Sequence, residues 1–165
     1  MQANSSLSPK NGLNMKDYRI AGHIVSIDFT DSNISETLLP NFAPFAYEGQ
    51  QKPAVTIRIV SDHEWEQDVQ DIGTFDVGGS DYAVFRTAQG GYRLDIHDTN
   101  GHLCSRIQSN PDFSLCHVKI YEGTYTQQHY GLDNCMMLAF AYATATMDTL
   151  LIHSSVIRCN GKGYL

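Results

Sequence analysis

The residues best equipped for chemistry are four ligand-type side chains on two neighbouring stretches: His102 and Cys104, then Cys116 and His117. Folded back about Asn110-Pro111, the two stretches bring Cys104 close to Cys116 and His117. Two thiolates and two imidazoles form a zinc ligand set. The spacing matches no standard zinc module, and consecutive strand residues such as Cys116 and His117 point to opposite faces, so at most half the set converges without a bulge. Ordinary strand residues are the expectation, with no metal site. A second group is the acidic run Asp62, Glu64, Glu66, Asp68 and Asp71. If extended, its even-numbered carboxylates share one edge and could hold a hard cation, but the calcium-loop pattern is absent and a solvated run is expected.

Nothing local marks an enzyme centre. Seven His, with Ser154 and Ser155, supply the residue types for a nucleophile and base, yet no G-x-S-x-G elbow is present. Glu36 and Glu48 are isolated carboxylates, and "GGSDYAVF" carries glycines for a turn only. Asn160-Gly161-Lys162-Gly163 contains the Gly-Lys pair of a phosphate-binding loop. In that loop G-x-x-x-x-G-K-[ST] cradles phosphate on backbone N–H groups and holds Mg²⁺ on the hydroxyl. Here Gly163 follows Lys162 and no glycine stands five positions before Gly161, so the residues suit a two-residue hairpin turn. No catalytic, cofactor-binding or metal-ligating residue is assigned in this chain.

The elements that must position these residues follow from periodicity. Residues 1–14 are polar, lack an apolar signal-peptide core and read as a disordered tail; patterned sequence begins at Met15, the expected natural start. Asp17 to Phe29 reads as one strand. Ser35 to Leu39 reads as a short helix with Asn33 as its cap, limited by Pro40 and Pro44. Ala54 to Val60 alternates as a half-buried strand, and "SDHEWEQDVQD" fits neither period. Five alternating runs follow between Gly73 and Gly123. Turn chemistry at Gly79-Ser80, Gln89-Gly90-Gly91, Asn100-Gly101 and Asn110-Pro111-Asp112 separates them, which predicts an antiparallel meander. Tyr92, Leu94 and Ile96 make a dry face that must be covered. Its cover is predicted to be a buried helix from Leu132 to Thr149, capped by Asp133 or Asn134. Leu150 to Arg158 then reads as a strand, Asn160-Gly161 as a turn, and Gly163 to Leu165 as a strand beginning. The fold class expected is α+β: a curved antiparallel meander of six or seven strands, packed by one buried C-terminal helix and followed by an edge strand.

Composition limits partners. A net charge of −7 argues against general nucleic-acid or anionic-membrane binding. The longest apolar stretch, Cys135 to Ala143, spans about 13 Å as a helix against a hydrocarbon core of ~30 Å. Cys104, Cys116, Cys135 and Cys159 form no C-x-x-C pair and read as reduced thiols of a cytoplasmic protein.

The tail "LLIHSSVIRCNGKGYL" resembles the entry to the kinase domain of HPr kinase/phosphorylase-like proteins, relatives of phosphoenolpyruvate carboxykinase. In that family a hydrophobic helix precedes a strand carrying an H-[SA]-S stretch, then an N-G-[KR]-G turn, then a strand that enters the P-loop. Asn134–Asp148, His153-Ser154-Ser155 and Asn160-Gly161-Lys162-Gly163 are similar in that order. The resemblance covers Asn134 to Leu165 and breaks off before the Walker A loop and metal-binding carboxylate. It implies residues 15–149 as a β-rich N-terminal module and 150–165 as the first strand and turn of a P-loop kinase-like domain. The module itself would be non-catalytic; ATP and Mg²⁺ are implied only for a longer parent protein. For His153 a structural part is expected. The alternative is a free-standing module for a small ligand or protein partner. It would dimerise through the 150–158 strand as an open edge.

Overall fold

The computed structural model describes residues 14–76, 78–151, 157–160 and 162–164. The expected disordered tail therefore lies outside the described residues except for Asn14, whose carbonyl accepts the Phe29 N–H. His153, Ser154 and Ser155 also lie outside them.

An eight-stranded mixed sheet is built from β1 (Met15–Ile20), β2 (His23–Asp31), β3 (Val55–Val60), β4 (Val69–Asp76), β5 (Asp81–Thr87), β6 (Tyr92–His97), β7 (Leu103–Ser109) and β8 (Leu115–Ile120). Their order is β1-β2-β3-β8-β7-β6-β5-β4. The five-strand meander predicted from the turn residues is present as β4 to β8, antiparallel throughout. The wholly antiparallel sheet of six or seven strands is not. β3 lies between β2 and β8 and pairs with both in parallel. Alternation along "AVTIRIV" specifies which side chains are buried but carries no information about strand direction.

The single strand expected from Asp17 to Phe29 is a hairpin. Ala21 (φ 49°) and Gly22 (φ 88°) form a two-residue turn between Ile20 and His23. An alanine in the left-handed region is disfavoured, so the pair lacked the Asn-Gly signature of such a turn. The short helix after β2 is a 3₁₀ turn, Glu36–Leu38, whose cap position is Ser35 rather than Asn33 and carries no side-chain cap bond. A second 3₁₀ turn, Pro40–Phe45, follows.

Helix α1 runs from Tyr125 to Thr144, starting seven residues before the expected Leu132 and ending five before the expected Thr149. Its start is set by Thr124. That hydroxyl accepts the Gln127 N–H at 3.3 Å while Gln127 Oε1 accepts the Thr124 N–H at 3.0 Å, a reciprocal capping box. Asp133 and Asn134 are interior helix residues. At the other end the β-branched Thr144 bonds back to the Phe140 carbonyl at 2.8 Å, and a turn through Asp148 (φ 53°) takes over. The helix is not buried all round: Leu132, Cys135, Met136 and Ala139 are sealed, while Met137 and Tyr142 are exposed.

The core lies between α1 and one sheet face. Val25, Ile27 and Phe29 (β2), Val55, Ile57 and Ile59 (β3), Leu94 and Ile96 (β6), Ile107 (β7) and Cys116 and Val118 (β8) meet the helix residues and Leu38 and Leu39 of the first 3₁₀ turn. Each large apolar side chain sealed there contributes roughly 1.5–3 kcal/mol over exposure. α1 comes close to β7 at Gly131, where a Cβ would sit 3.0 Å from the Cys104 carbonyl oxygen. The gap is used: Ser105 Oγ donates to the Gly131 carbonyl at 3.1 Å and receives the Cys135 thiol at 3.3 Å. Burial pushes the Cys135 thiol up to about 12 and raises that of Cys116 as well, so both stay protonated.

The opposite sheet face is covered in part, over β6, β7 and β8. Residues 61–68, the first eight of the eleven that fit neither sequence period, cross it as a strap; the last three, 69–71, open β4. Glu66 ties the strap down: its N–H donates to Gln108 Oε1 and its carbonyl accepts Arg93 Nη1, both at 3.0 Å.

Replacing Gly131 by Val forces branched carbons against the β7 backbone. Overpacking of this kind costs about 2 kcal/mol. A lower urea midpoint at unchanged m-value is the expected result for Gly131→Val; an unchanged midpoint would show that α1 is not seated against β7 at this residue.

Candidate functional site

Three places gather polar chemistry. The first is a pocket of about 740 Å³, open to solvent, between the N-terminal half of α1, the β4–β5 turn and the β6–β7 turn. Its floor is a hydrogen-bonded relay. Tyr82 OH of β5 donates to Asn134 Oδ1 of α1; Asn134 Nδ2 donates to the Tyr130 carbonyl at 2.8 Å; Tyr130 OH donates to Ser80 Oγ at 2.7 Å. Ser80, Tyr82 and Asn134 are all buried. Burial raises the Tyr82 hydroxyl well above the usual phenol value, so it remains a neutral donor.

At the rim, Asp98 Oδ1 accepts the N–H groups of Asn100 and His102, both at 2.9 Å, and Oδ2 accepts Gln127 Nε2 at 2.9 Å. These bonds, the one from Gln127 foremost, hold its carboxyl below the ordinary value. The same Gln127 closes the capping box, so the start of α1 and the β6–β7 turn are positioned together.

The second place is the strapped face. His63 stacks on His117 with ring centroids 4.3 Å apart, Trp65 meets His63 edge-on at 4.7 Å, and Arg106 lies 5.7 Å over the Trp65 ring. Arg106 is itself held by Asp95 through two bonds of 2.6 Å. Burial, then His63, then Arg58 lower the His117 pKa. The third is a cleft of about 630 Å³ at the C-terminal ends of the parallel strands β2, β3 and β8, lined by Ser61, His102, Lys119 and Tyr121 among others.

The His102, Cys104, Cys116 and His117 set does not converge. Cys116 is in the helix-side core and its thiol contacts the Phe113 carbonyl; His117, next in chain, is on the strapped face. Cys104 sits where the β6–β7 register shifts, and His102 Nε2 meets the Glu122 carbonyl at 3.2 Å. The acidic run is strung along the strap and β4: Asp62 accepts the His63 N–H and Glu66 the Gln89 N–H. Among the described residues, no group of three or more His, Cys, Asp or Glu is arranged as a metal site. No helix among them is long and apolar enough to cross a membrane.

The turn expected at Asn160-Gly161 falls between two paired strands, with Gly161 itself outside the described residues. β9 (Ile157–Cys159) and β10 (Lys162–Tyr164) pair antiparallel across it, with Asn160 at φ 50°. The hairpin is a separate two-stranded sheet. Of the strand expected from 150 to 158, Ile157 and Arg158 lie in β9, Leu150 and Leu151 are outside any strand and exposed, and residues 152–156 lie outside the described residues. The edge strands of the large sheet are β1 and β4.

Sequence reasoning passed over the pocket. Ser80 reads as a turn residue, Tyr82 as a strand residue and Asn134 as a cap. The one available signal was Thr124-x-x-Gln127, which moves the helix start and thereby turns Tyr130 and Asn134 toward β5. No family model, no curated protein and no solved structure matches the chain.

A histidine whose folded pKa lies below the unfolded value of 6.5 takes up its proton more readily when unfolded. Its contribution is therefore fully present above that value and is lost as pH falls from there through the folded pKa. Between about pH 7.5 and pH 5.5 the urea midpoint of the native chain should drop further than that of His117→Gln. Equal drops would remove His117 as the linked group.

Proposed function

We propose that the chain is the N-terminal, non-catalytic module of an HPr-kinase-like P-loop phosphotransferase, whose parent protein moves phosphate from ATP to a protein or small-molecule hydroxyl. The observation that carries this reading is the β9–β10 hairpin. The hairpin, with Asn160 at its turn, follows the long helix in chain order and is a sheet separate from the eight-stranded one, in the order that the resemblance requires. Lys162 opens β10, paired with Cys159, which is a hairpin position and not that of a lysine in a phosphate-binding loop. ATP and Mg²⁺ belong to the parent's nucleotide site and not to residues of this module. A cytoplasmic setting accompanies the reading, supported by the free, buried thiols of Cys104, Cys116 and Cys135.

The codons beyond Leu165 test it directly. An in-frame G-x-x-x-x-G-K-[ST] within about a dozen residues is expected; a stop codon with no such motif in frame defeats the reading. Calorimetric titration of the present chain with ATP–Mg²⁺ should give no saturable heat, and micromolar binding would show that nucleotide is held by residues assigned here to structure.

A further inference from the structure

We infer that the pocket beside the first half of α1 binds a neutral polyhydroxylated small molecule, of the size of a mono- or disaccharide or a cyclic polyol. The inference is independent of the phosphotransferase reading, which assigns no ligand to this module.

Size comes first. About 740 Å³ lies within the range of small-molecule sites and exceeds what a few ordered waters need. Charge comes second. The described lining carries one ionisable group of low pKa, Asp98, and no Lys, Arg or His. A phosphate or carboxylate ligand would meet that carboxylate with no cation to offset it. Asp98 is also a poor anchor for a cation, because both its oxygens already accept N–H bonds from Asn100, His102 and Gln127.

Hydrogen-bond inventory decides the class. Asn134 gives Oδ1 to Tyr82 and one amide hydrogen to the Tyr130 carbonyl, which leaves one lone pair and one hydrogen. The Tyr130 phenol oxygen donates to Ser80 and keeps its capacity to accept. The Thr99, Asn100 and Thr126 side chains line the same pocket with no hydrogen-bond partner among the described residues. Donors and acceptors are thus interleaved, and hydroxyls, each able to donate and accept, match them without a change of protonation. Met137, exposed to 39%, supplies an apolar surface for the C–H face of a ring.

The relay beneath is expensive. Four polar side chains between helix and sheet forgo the packing that apolar residues would bring. What they gain is orientation: Tyr82 and Tyr130 lock the Asn134 amide in one rotamer, which is the preorganisation a binding site requires.

Saturation-transfer NMR on the full chain tests this with D-glucose, maltose and myo-inositol as neutral probes, and glucose 6-phosphate and putrescine as charged ones. A saturable signal from at least one neutral probe, stronger than from either charged probe, is expected. Thr126→Val and Asn100→Ala, both at exposed positions, should each weaken it about fivefold, the loss of one ligand hydrogen bond, while leaving the urea midpoint unchanged. The proposal is overturned by no saturable signal from any neutral probe, by equal or tighter binding of glucose 6-phosphate or putrescine, or by binding that both variants leave intact.

Discussion

The structure depends on one topological constraint: β3 hydrogen-bonds in parallel to both of its neighbours, β2 and β8. A parallel neighbour cannot be reached by a tight turn, so two connections must leave the sheet plane. The first, from β2 to β3, passes on the α1 side and leaves Leu38 and Leu39 in the core. The helix rests on it, with His129 Nδ1–H donating to the Leu38 carbonyl at 2.6 Å. The second, from β3 to β8, carries β4 to β7 and begins by crossing part of the other face as the strap. β3 is sealed on its helix side through Val55, Ile57 and Ile59, while Arg58 on the other side stays exposed; α1 and the first crossover cover the one face, and the strap covers part of the other.

The strap explains the charges on that face. Asp95 faces away from the helix and is still buried, because residues 61–68 lie over it. Its two-bond pairing with Arg106 is what makes a buried carboxylate tolerable, and Arg106 in turn receives the Trp65 ring. His117 loses proton affinity for the same reason: the strap removes water and places His63 against it. On the helix side the polar relay plays the opposite part. It opens to a pocket instead of being sealed, where Tyr130 and Asn134 of α1 reach Ser80 and Tyr82.

Much of the local structure was legible and the reasons are local. Glycines at positive φ mark the meander turns at Gly79, Gly90 and Gly101, and the alternation of Leu94 and Ile96 against Arg93 and Asp95 names the faces. The misreadings have particular causes. Ala21-Gly22 turns without a turn signature. The helix start was sought beside Asp133 and Asn134 because short polar side chains favour caps, yet Asn134 is polar for a partner on β5, fifty-two residues away in the chain. "SDHEWEQDVQD" has no period because a strap packs through single residues, His63, Trp65 and Glu66, and not through a repeating face.

By itself the sequence determined the α+β class, the five-strand meander, the place of the β9–β10 hairpin and the core-facing side of β3 and β6. All of these follow from backbone preferences and from apolar spacing within a few residues. Only the tertiary structure decided that β3 enters between β2 and β8, that the acidic segment is a cover rather than a solvated loop, and that Ser80, Tyr82, Tyr130 and Asn134 share one pocket. Those outcomes rest on contacts between residues tens of positions apart, whose pairing is selected by the burial of the whole sheet and leaves no periodic mark on the chain.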